Sequence, residues 1–120
     1  MVLNSDMIFP LKQYGSQLAV VTEDGQELSY LLLGNLIDTV NEVISEEKGL
    51  TFCLCHNSLG SLVGYLAMLQ SKIPAVMLDG DKNSAVVRSL IDVYKPTFLW
   101  LPKDRNKEFG GDEIFCYESY

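Results

Sequence analysis

The chain has 120 residues, 48% of them hydrophobic, and carries a net charge of −7 from 16 acidic and 9 basic residues. A chain of this length buries one core, so we expect residues 1–120 to form a single domain. The acidic balance argues against nucleic acid as a partner, because it would repel a phosphate backbone. Apolar runs are only a handful of residues long, whereas a bilayer span needs roughly 20, and the N-terminus has no signal-peptide pattern. We therefore expect no membrane partner and a cytoplasmic location.

The first predicted elements are a hairpin and a helix. Residues 18–22 and 26–29 flank an Asp-Gly dipeptide, which is typical of a tight hairpin turn. Ser29 is placed to cap a helix over residues 30–47, whose apolar side chains repeat at intervals of three and four. A lysine and then Gly49, at the C′ position, are expected to end this helix.

The rest of the chain alternates strands with helices. Strands are predicted at residues 50–55, 74–78 and 97–101, helices at residues 59–71 and 84–94, and one more strand at residues 113–117. Strands separated by helices form right-handed crossovers and a parallel sheet. The expected fold is an α/β three-layer sandwich, Rossmann-like or flavodoxin-like, with helices on both faces of a parallel sheet and an N-terminal β-hairpin.

The second predicted helix contains a pair of glycines beside an apolar face. Gly60 and Gly64 lie four residues apart and weaken helix propensity, so we expect close packing of the backbone against a neighbour. Five apolar side chains are expected to face the core: Leu59, Leu62, Val63, Leu66 and Leu69.

The three cysteines make an odd count, which argues against a disulfide framework. Cys53 and Cys55 are two residues apart in a predicted strand, so both side chains leave the same face. A zinc site needs more ligands than the chain offers near them. We expect reduced thiols that act as small hydrophobic side chains.

Ligands of open α/β sheets gather at the carboxyl ends of the strands, where loops lead into helices. That rule selects His56, Asn57, Ser58 and Asp79 as candidate site residues, and more weakly the loop lysine after the third core strand. Helix capping and turn formation are the more common roles of such residues. We assign no catalytic, cofactor-binding or metal-binding residue from the sequence.

Three familiar ligand-binding patterns are missing from the sequence. A phospho-accepting receiver domain needs a pair of acidic residues after its first strand, and here that strand ends in Cys55 and His56. The first strand-to-helix turn has no G-x-G-x-x-G, which dinucleotide-binding folds use there, and no phosphate loop of the G-x-x-x-x-G-K-[ST] type is present.

Three segments of the sequence form a recognisable series: V-T-E-D-G-Q-E-L-S-Y at residues 21–30, Asn57 with Ser58, and M-L-D at residues 77–79. In this order they resemble the opening of the adenylate-forming (AMP-binding) acyl-CoA synthetase and ligase superfamily. Residues 21–30, V-T-E-D-G-Q-E-L-S-Y, are similar to that family's hairpin and helix entry. Asn57 and Ser58 resemble its turn after an apolar strand, and M-L-D at residues 77–79 resembles the end of its next strand. The resemblance extends over residues 9–102. His56 stands where the family commonly has proline, which leaves open a site-specific role.

A second departure is Lys72, which stands where the family often has glycine and which makes the exit of the preceding helix uncertain. The resemblance identifies the chain as the N-terminal part of the large domain of such an enzyme. It implies a parent protein that uses ATP and magnesium to convert a carboxylate into an acyl-adenylate and passes the acyl group to coenzyme A or a carrier protein. The family's catalytic motifs lie downstream of such a region.

Two functions follow from these observations. In the first, the chain is an inactive scaffold fragment whose partner is the rest of the parent enzyme, with self-association through exposed apolar surface. In the second, it is a stand-alone, non-catalytic α/β binding or interaction module.

Overall fold

The computed structural model describes residues 11–44, 49–114, 116–117 and 119–120. Within them, the strands are β1 (Leu18–Val21), β2 (Glu27–Ser29), β3 (Thr51–Cys55), β4 (Ala75–Asp79) and β5 (Phe98–Trp100). The α-helices of the same residues are α1 (Tyr30–Ile44), α2 (Leu59–Ser71) and α3 (Ser84–Tyr94). Short 3-10 turns lie at Leu11–Tyr14 and Lys103–Arg105.

The strands form two separate sheets. β1 and β2 pair in antiparallel fashion across the Asp-Gly turn, as the sequence predicts. β3 lies between β4 and β5, and both pairings are parallel. In this register Cys53 is opposite Met77 on one side and Trp100 on the other.

Helices cover both faces of the parallel sheet. Since successive strand residues point to opposite faces, Cys53 and Trp100 pack toward α1 and α2. Phe52 and Leu54 pack toward Val87 of α3. Burying each large apolar side chain contributes roughly 1.5–3 kcal/mol, so the two clusters hold the layers together. The predicted α/β three-layer architecture is confirmed.

The start of α1 agrees with the sequence, since Ser29 Oγ accepts a hydrogen bond from the Leu32 amide at 3.1 Å. The predicted end of this helix falls at residues 45–48, outside the described residues. Gly49 was expected as a left-handed C′ residue, but its φ is not positive. Close approach explains this glycine instead, because a Cβ there would lie 2.9 Å from Thr97 Cβ.

The core-facing side of α2 differs from the prediction. Leu59 and Val63 are buried as expected, but Leu69 is 38% exposed, and Ala67 and Met68 are buried in its place. The cause is the glycine pair of this helix, because the face that carries the two glycines and Ala67 packs against the sheet. Leu69 is thereby rotated toward solvent.

The exit from α2 is made by Lys72 in the left-handed conformation, with φ 58° and ψ 33°. Its amide donates to Leu69 O at 3.1 Å, and the next amide, of Ile73, donates to Met68 O at 3.0 Å. Glycine favours this geometry at the end of a helix, because a side chain is strained there. The chain therefore makes a left-handed helix exit with a residue that is poorly suited to it.

The strand predicted at residues 113–117 is wrong for its described members. Glu113, Ile114, Cys116 and Tyr117 belong to no strand, and Ile114 is 57% exposed. The two preceding glycines adopt positive φ, 76° and 93°, so the chain turns sharply before this segment and loses the alignment that a strand requires.

Candidate functional site at the carboxyl end of the sheet

His56 is the first residue after β3 and connects three elements. Its amide donates to Ser61 Oγ at 3.0 Å and to Tyr120 Oη at 2.8 Å. Its imidazole Nε2 lies 2.9 Å from Asp81 Oδ1. His56 therefore has a specific place at the strand end, with its backbone held on α2 and its ring held by the loop after β4.

Ser58 is the N-cap of α2. Its backbone is extended, and its Oγ accepts the Ser61 amide at 3.3 Å. Its hydroxyl also donates to Ser61 Oγ at 3.2 Å. A serine in this position satisfies an amide that the first helical turn leaves unpaired. Capping accounts for Ser58, and the geometry gives it no further role.

Asp79 ends β4 and shapes the following turn, since its Oδ1 accepts the Asp81 amide at 2.9 Å. Gly80, between them, donates its amide to Cys55 O at 2.8 Å. A Cβ at Gly80 would lie 2.5 Å from His56 Cδ2 and Nε2, so only glycine allows the imidazole to cross the turn. Asp79 thus reaches His56 through Asp81, whereas the side chain of Asn57 is exposed.

An aromatic pair closes the other side of this edge. Tyr120 is only 4% exposed and stacks on Trp100, with ring centroids 6.0 Å apart and an angle of 18° between the planes. Trp100 Nε1 donates to Gly60 O at 2.9 Å. A Cβ at Gly60 would lie 3.0 Å from Tyr120 Cγ, and one at Gly64 would lie 2.6 Å from Trp100 Cε2. The close packing predicted from the two glycines is confirmed.

Arg105 and Glu108 hold the loop after β5 onto α3. Arg105 Nε donates to Glu108 Oε2 at 2.8 Å, and Nη2 donates to Oε1 at 3.0 Å. Arg105 Nη1 also donates to Gly80 O at 2.9 Å, and Ser84 donates its hydroxyl to Glu108. The hydrogen bonds from Arg105 and then Ser84 lower the pKa of Glu108 to about 2. All three guanidinium nitrogens of Arg105 therefore donate hydrogen bonds to groups of this chain.

The cysteines near this edge are poor nucleophiles. Burial raises the pKa of Cys53 to about 12. Burial also raises the pKa of Cys55, although its hydrogen bond with Ser61 opposes the shift. Both thiols are free and lie on the same face of the sheet, as predicted, and that face packs against α1 and α2. Among the described residues, no group of three or more His, Cys, Asp or Glu side chains could hold a metal ion.

Sequence reasoning missed the residues that complete this edge. Ser61 and Tyr120 are 59 positions apart, so no local pattern connects them. For the loop after β5, the sequence selected Lys103, which is exposed, while Arg105 makes the contacts. The i, i+3 spacing of Arg105 and Glu108 was the one available signal.

No helix formed by the described residues has the length and apolar character to cross a membrane.

No protein-family model and no curated protein sequence matches the chain. Solved structures do match. One is the Klebsiella oxytoca NpsA N-terminal subdomain in complex with 3-hydroxybenzoyl-AMSN, at a TM-score of 0.66 and 11% identity over 79% of this chain. Another is the same subdomain in complex with anthranilyl-AMSN, at a TM-score of 0.66 and 15% identity over 90% of this chain.

The chain therefore has the fold of the N-terminal subdomain of an adenylate-forming enzyme, as its sequence resemblance implies. It spans 25% and 29% of the two NpsA chains that it matches. At this level of identity the likeness establishes the fold alone.

Proposed function

We propose that the chain is the N-terminal scaffold part of an ATP-dependent carboxylate-activating ligase. The parent protein would join a carboxylate to AMP, release pyrophosphate, and pass the acyl group to the thiol of coenzyme A or a carrier protein. The observation that carries the proposal is the fold match, which covers most of this chain and about a quarter of each matched NpsA chain. We propose a cytoplasmic location, because the parent enzyme would draw on ATP and coenzyme A there.

The described residues do not fit an ATP and magnesium site. The carboxylates of Asp79 and Asp81 face the carboxyl edge beside His56, and they would repel a polyphosphate. The guanidinium of Arg105 is held by Glu108, so it cannot neutralise a phosphate without breaking that pair. We therefore derive no step of the reaction from these residues. In the proposal, other parts of the parent enzyme supply the nucleotide site.

The edges of the sheet support a larger parent structure. Among the described residues, β4 pairs only with β3, and Val76 and Met77, on opposite faces of this edge strand, are 37% and 47% exposed. An unpaired strand edge with apolar side chains is a site of association with another chain or segment. We propose that the rest of the parent enzyme covers this edge, and that the isolated chain self-associates through it.

Pyrophosphate exchange on two samples tests the proposal. An antibody raised against this chain would purify the native polypeptide that contains it, for assay with aliphatic and aromatic carboxylates. We expect carboxylate-dependent exchange from a polypeptide longer than 120 residues and no exchange from the isolated chain. A native polypeptide without exchange would favour the stand-alone module, and exchange by the isolated chain would show that the chemistry lies within it.

Sedimentation of the isolated chain tests the open edge separately. We expect concentration-dependent association together with binding of a hydrophobic dye. A monomer that binds no dye would contradict the fragment proposal, because the open β4 edge would then need no cover.

A further inference from the structure

The ring of Tyr120 occupies a defined pocket, which we call the Tyr120 pocket. Its walls are Gly60, Ser61, the indole of Trp100, and the backbone and ring edge of His56. The His56 ring meets the phenol edge at 6.5 Å between centroids and 73° between planes. With Tyr120 only 4% exposed, these walls enclose almost the whole side chain.

Each wall recognises a different property of a phenol. The indole stacks on the flat face of the ring, and Gly60 leaves room on another side because any Cβ would collide with that ring. At the polar end, Ser61 donates its hydroxyl to the phenol oxygen at 2.7 Å, and the His56 amide donates at 2.8 Å. Two donors converge on one oxygen, so the pocket distinguishes a hydroxylated ring from a plain hydrocarbon ring.

The walls also have contacts that do not involve Tyr120. Trp100 is fixed by its hydrogen bond to Gly60 O, and Ser61 is fixed by the capping interactions of Ser58. The described part of the segment that carries Tyr120 is attached through its backbone as well, and Tyr117 packs against the same core cluster. The Lys103 amide donates to Ser119 O at 2.7 Å, and Tyr117 and Tyr120 exchange backbone hydrogen bonds at 2.8 and 2.9 Å within their own turn. The walls therefore keep contacts of their own when the Tyr120 ring leaves the pocket.

We propose that the Tyr120 pocket is a binding site for small uncharged phenols, and that Tyr120 fills it in cis until such a ligand displaces it. The proposal goes beyond the proposed ligase function and does not depend on it. Because only the fraction of molecules with Tyr120 outside the pocket can bind, the apparent dissociation constant of a free phenol is raised by the inverse of that fraction. Removing the Tyr120 ring removes this competition.

Titration with p-cresol, which reproduces the tyrosine side chain with its methyl group in place of Cβ, tests the proposal against toluene, which lacks the oxygen. The indole N–H signal of Trp100, the single tryptophan, reports occupancy by NMR. We expect Tyr120→Ala to bind p-cresol saturably and about tenfold more tightly than toluene, since two hydrogen bonds are gained. We expect wild type to bind p-cresol at least about tenfold more weakly than Tyr120→Ala.

Two controls make the result specific. Adding Ser61→Ala to Tyr120→Ala should narrow the preference for p-cresol over toluene, since one of the two donors is lost. Tyr94→Ala removes a tyrosine that is 60% exposed, and it should bind p-cresol as wild type does. If Tyr120→Ala is unfolded by itself, the same comparison is made by refolding, because a ligand that binds the folded state raises the urea midpoint.

Three outcomes would overturn the proposal. Equal binding of p-cresol and toluene by Tyr120→Ala would show that the donors do not select a phenol. No binding, and no shift of the urea midpoint, would show that the pocket collapses without its ring. Binding to wild type as tight as to Tyr120→Ala would show that Tyr120 does not compete for the site.

Discussion

Replacing Gly64 by alanine should destabilise the chain although it improves helix propensity. A Cβ at this position would lie 2.6 Å from Trp100 Cε2 and closer still to Cδ1 and Nε1. The indole cannot move away freely, because its Nε1 donates to Gly60 O and its face stacks on Tyr120. The added methyl group therefore forces apart the contact between α2 and β5.

The magnitude follows from three opposing contributions. Overpacking a well-packed contact costs typically 1–3 kcal/mol. Loss of the Trp100 hydrogen bond adds about 1 kcal/mol, and the gain from glycine to alanine in a helix returns about 1 kcal/mol. We expect Gly64→Ala to lower the free energy of unfolding by about 2 kcal/mol on these values.

Gly34 provides a matched control in α1. It is also buried in the middle of a helix, but the three atoms nearest to a Cβ there all belong to the flexible side chain of Lys12, with Cγ at 2.8 Å. Lys12 can rotate away, although its ion pair with Asp38 then has to adjust. We expect Gly34→Ala to be neutral or stabilising by up to about 1 kcal/mol.

Urea unfolding measures both variants, with Trp100 fluorescence as one probe and far-ultraviolet circular dichroism as another. The m-value should stay constant if only the folded state is changed. Gly64→Ala that is as stable as Gly34→Ala would refute the reasoning. As a further check, Trp100→Phe, which replaces the indole with a smaller ring, should cost less in the presence of Gly64→Ala than alone.

Three other predictions concern separate parts of the chain. Lys72→Gly should raise the free energy of unfolding by up to about 1 kcal/mol in urea titrations, because glycine adopts the left-handed conformation without strain. The pKa of Glu108 is lowered from 4.5 to about 2 by Arg105, so its contribution to stability is present above pH 4.5 and is lost as the pH falls toward 2. The urea midpoint of Glu108→Gln should accordingly be lower than that of wild type at pH 7, and it should change less between pH 4.5 and pH 2. Glu23→Gln, at an exposed position, is the control and should follow wild type. Iodoacetamide followed by mass spectrometry should label Cys116 in the folded chain, since it is exposed, and Cys53 only after unfolding, since it is buried and its thiol has a pKa of about 12.

The sequence predicted the features that depend on neighbouring residues. The Asp-Gly turn, the serine cap of α2 and the alternation of strands with helices are local patterns, and the structure contains each of them. The spacing of Gly60 and Gly64 also predicted a close contact. It could not identify Trp100 as the partner, since that contact joins positions about 40 residues apart.

The errors arose where tertiary contacts override local pattern. Leu69 continues the apolar periodicity of α2, yet the packing of the glycine face against Trp100 turns it outward. The apolar residues near Ile114 suggested a strand, but two glycines with positive φ redirect the chain before it. Of the four candidate site residues, His56 and Ser58 meet through Ser61, and Asp79 is connected to His56 through Asp81. Whether any of the four binds a ligand stays a prediction.

The charges at the carboxyl edge connect the two proposals. Asp79 and Asp81 place carboxylates beside His56, and Arg105 is neutralised by Glu108, so this edge disfavours an anionic nucleotide. A neutral phenol meets no such penalty in the Tyr120 pocket, where its oxygen receives two hydrogen bonds and its ring lies on an indole. Carboxylate activation would then take place on another part of the parent enzyme, while the edge described here is suited to an uncharged aromatic ring. Loss of p-cresol binding would therefore leave the ligase proposal intact, and absence of pyrophosphate exchange would leave the pocket intact.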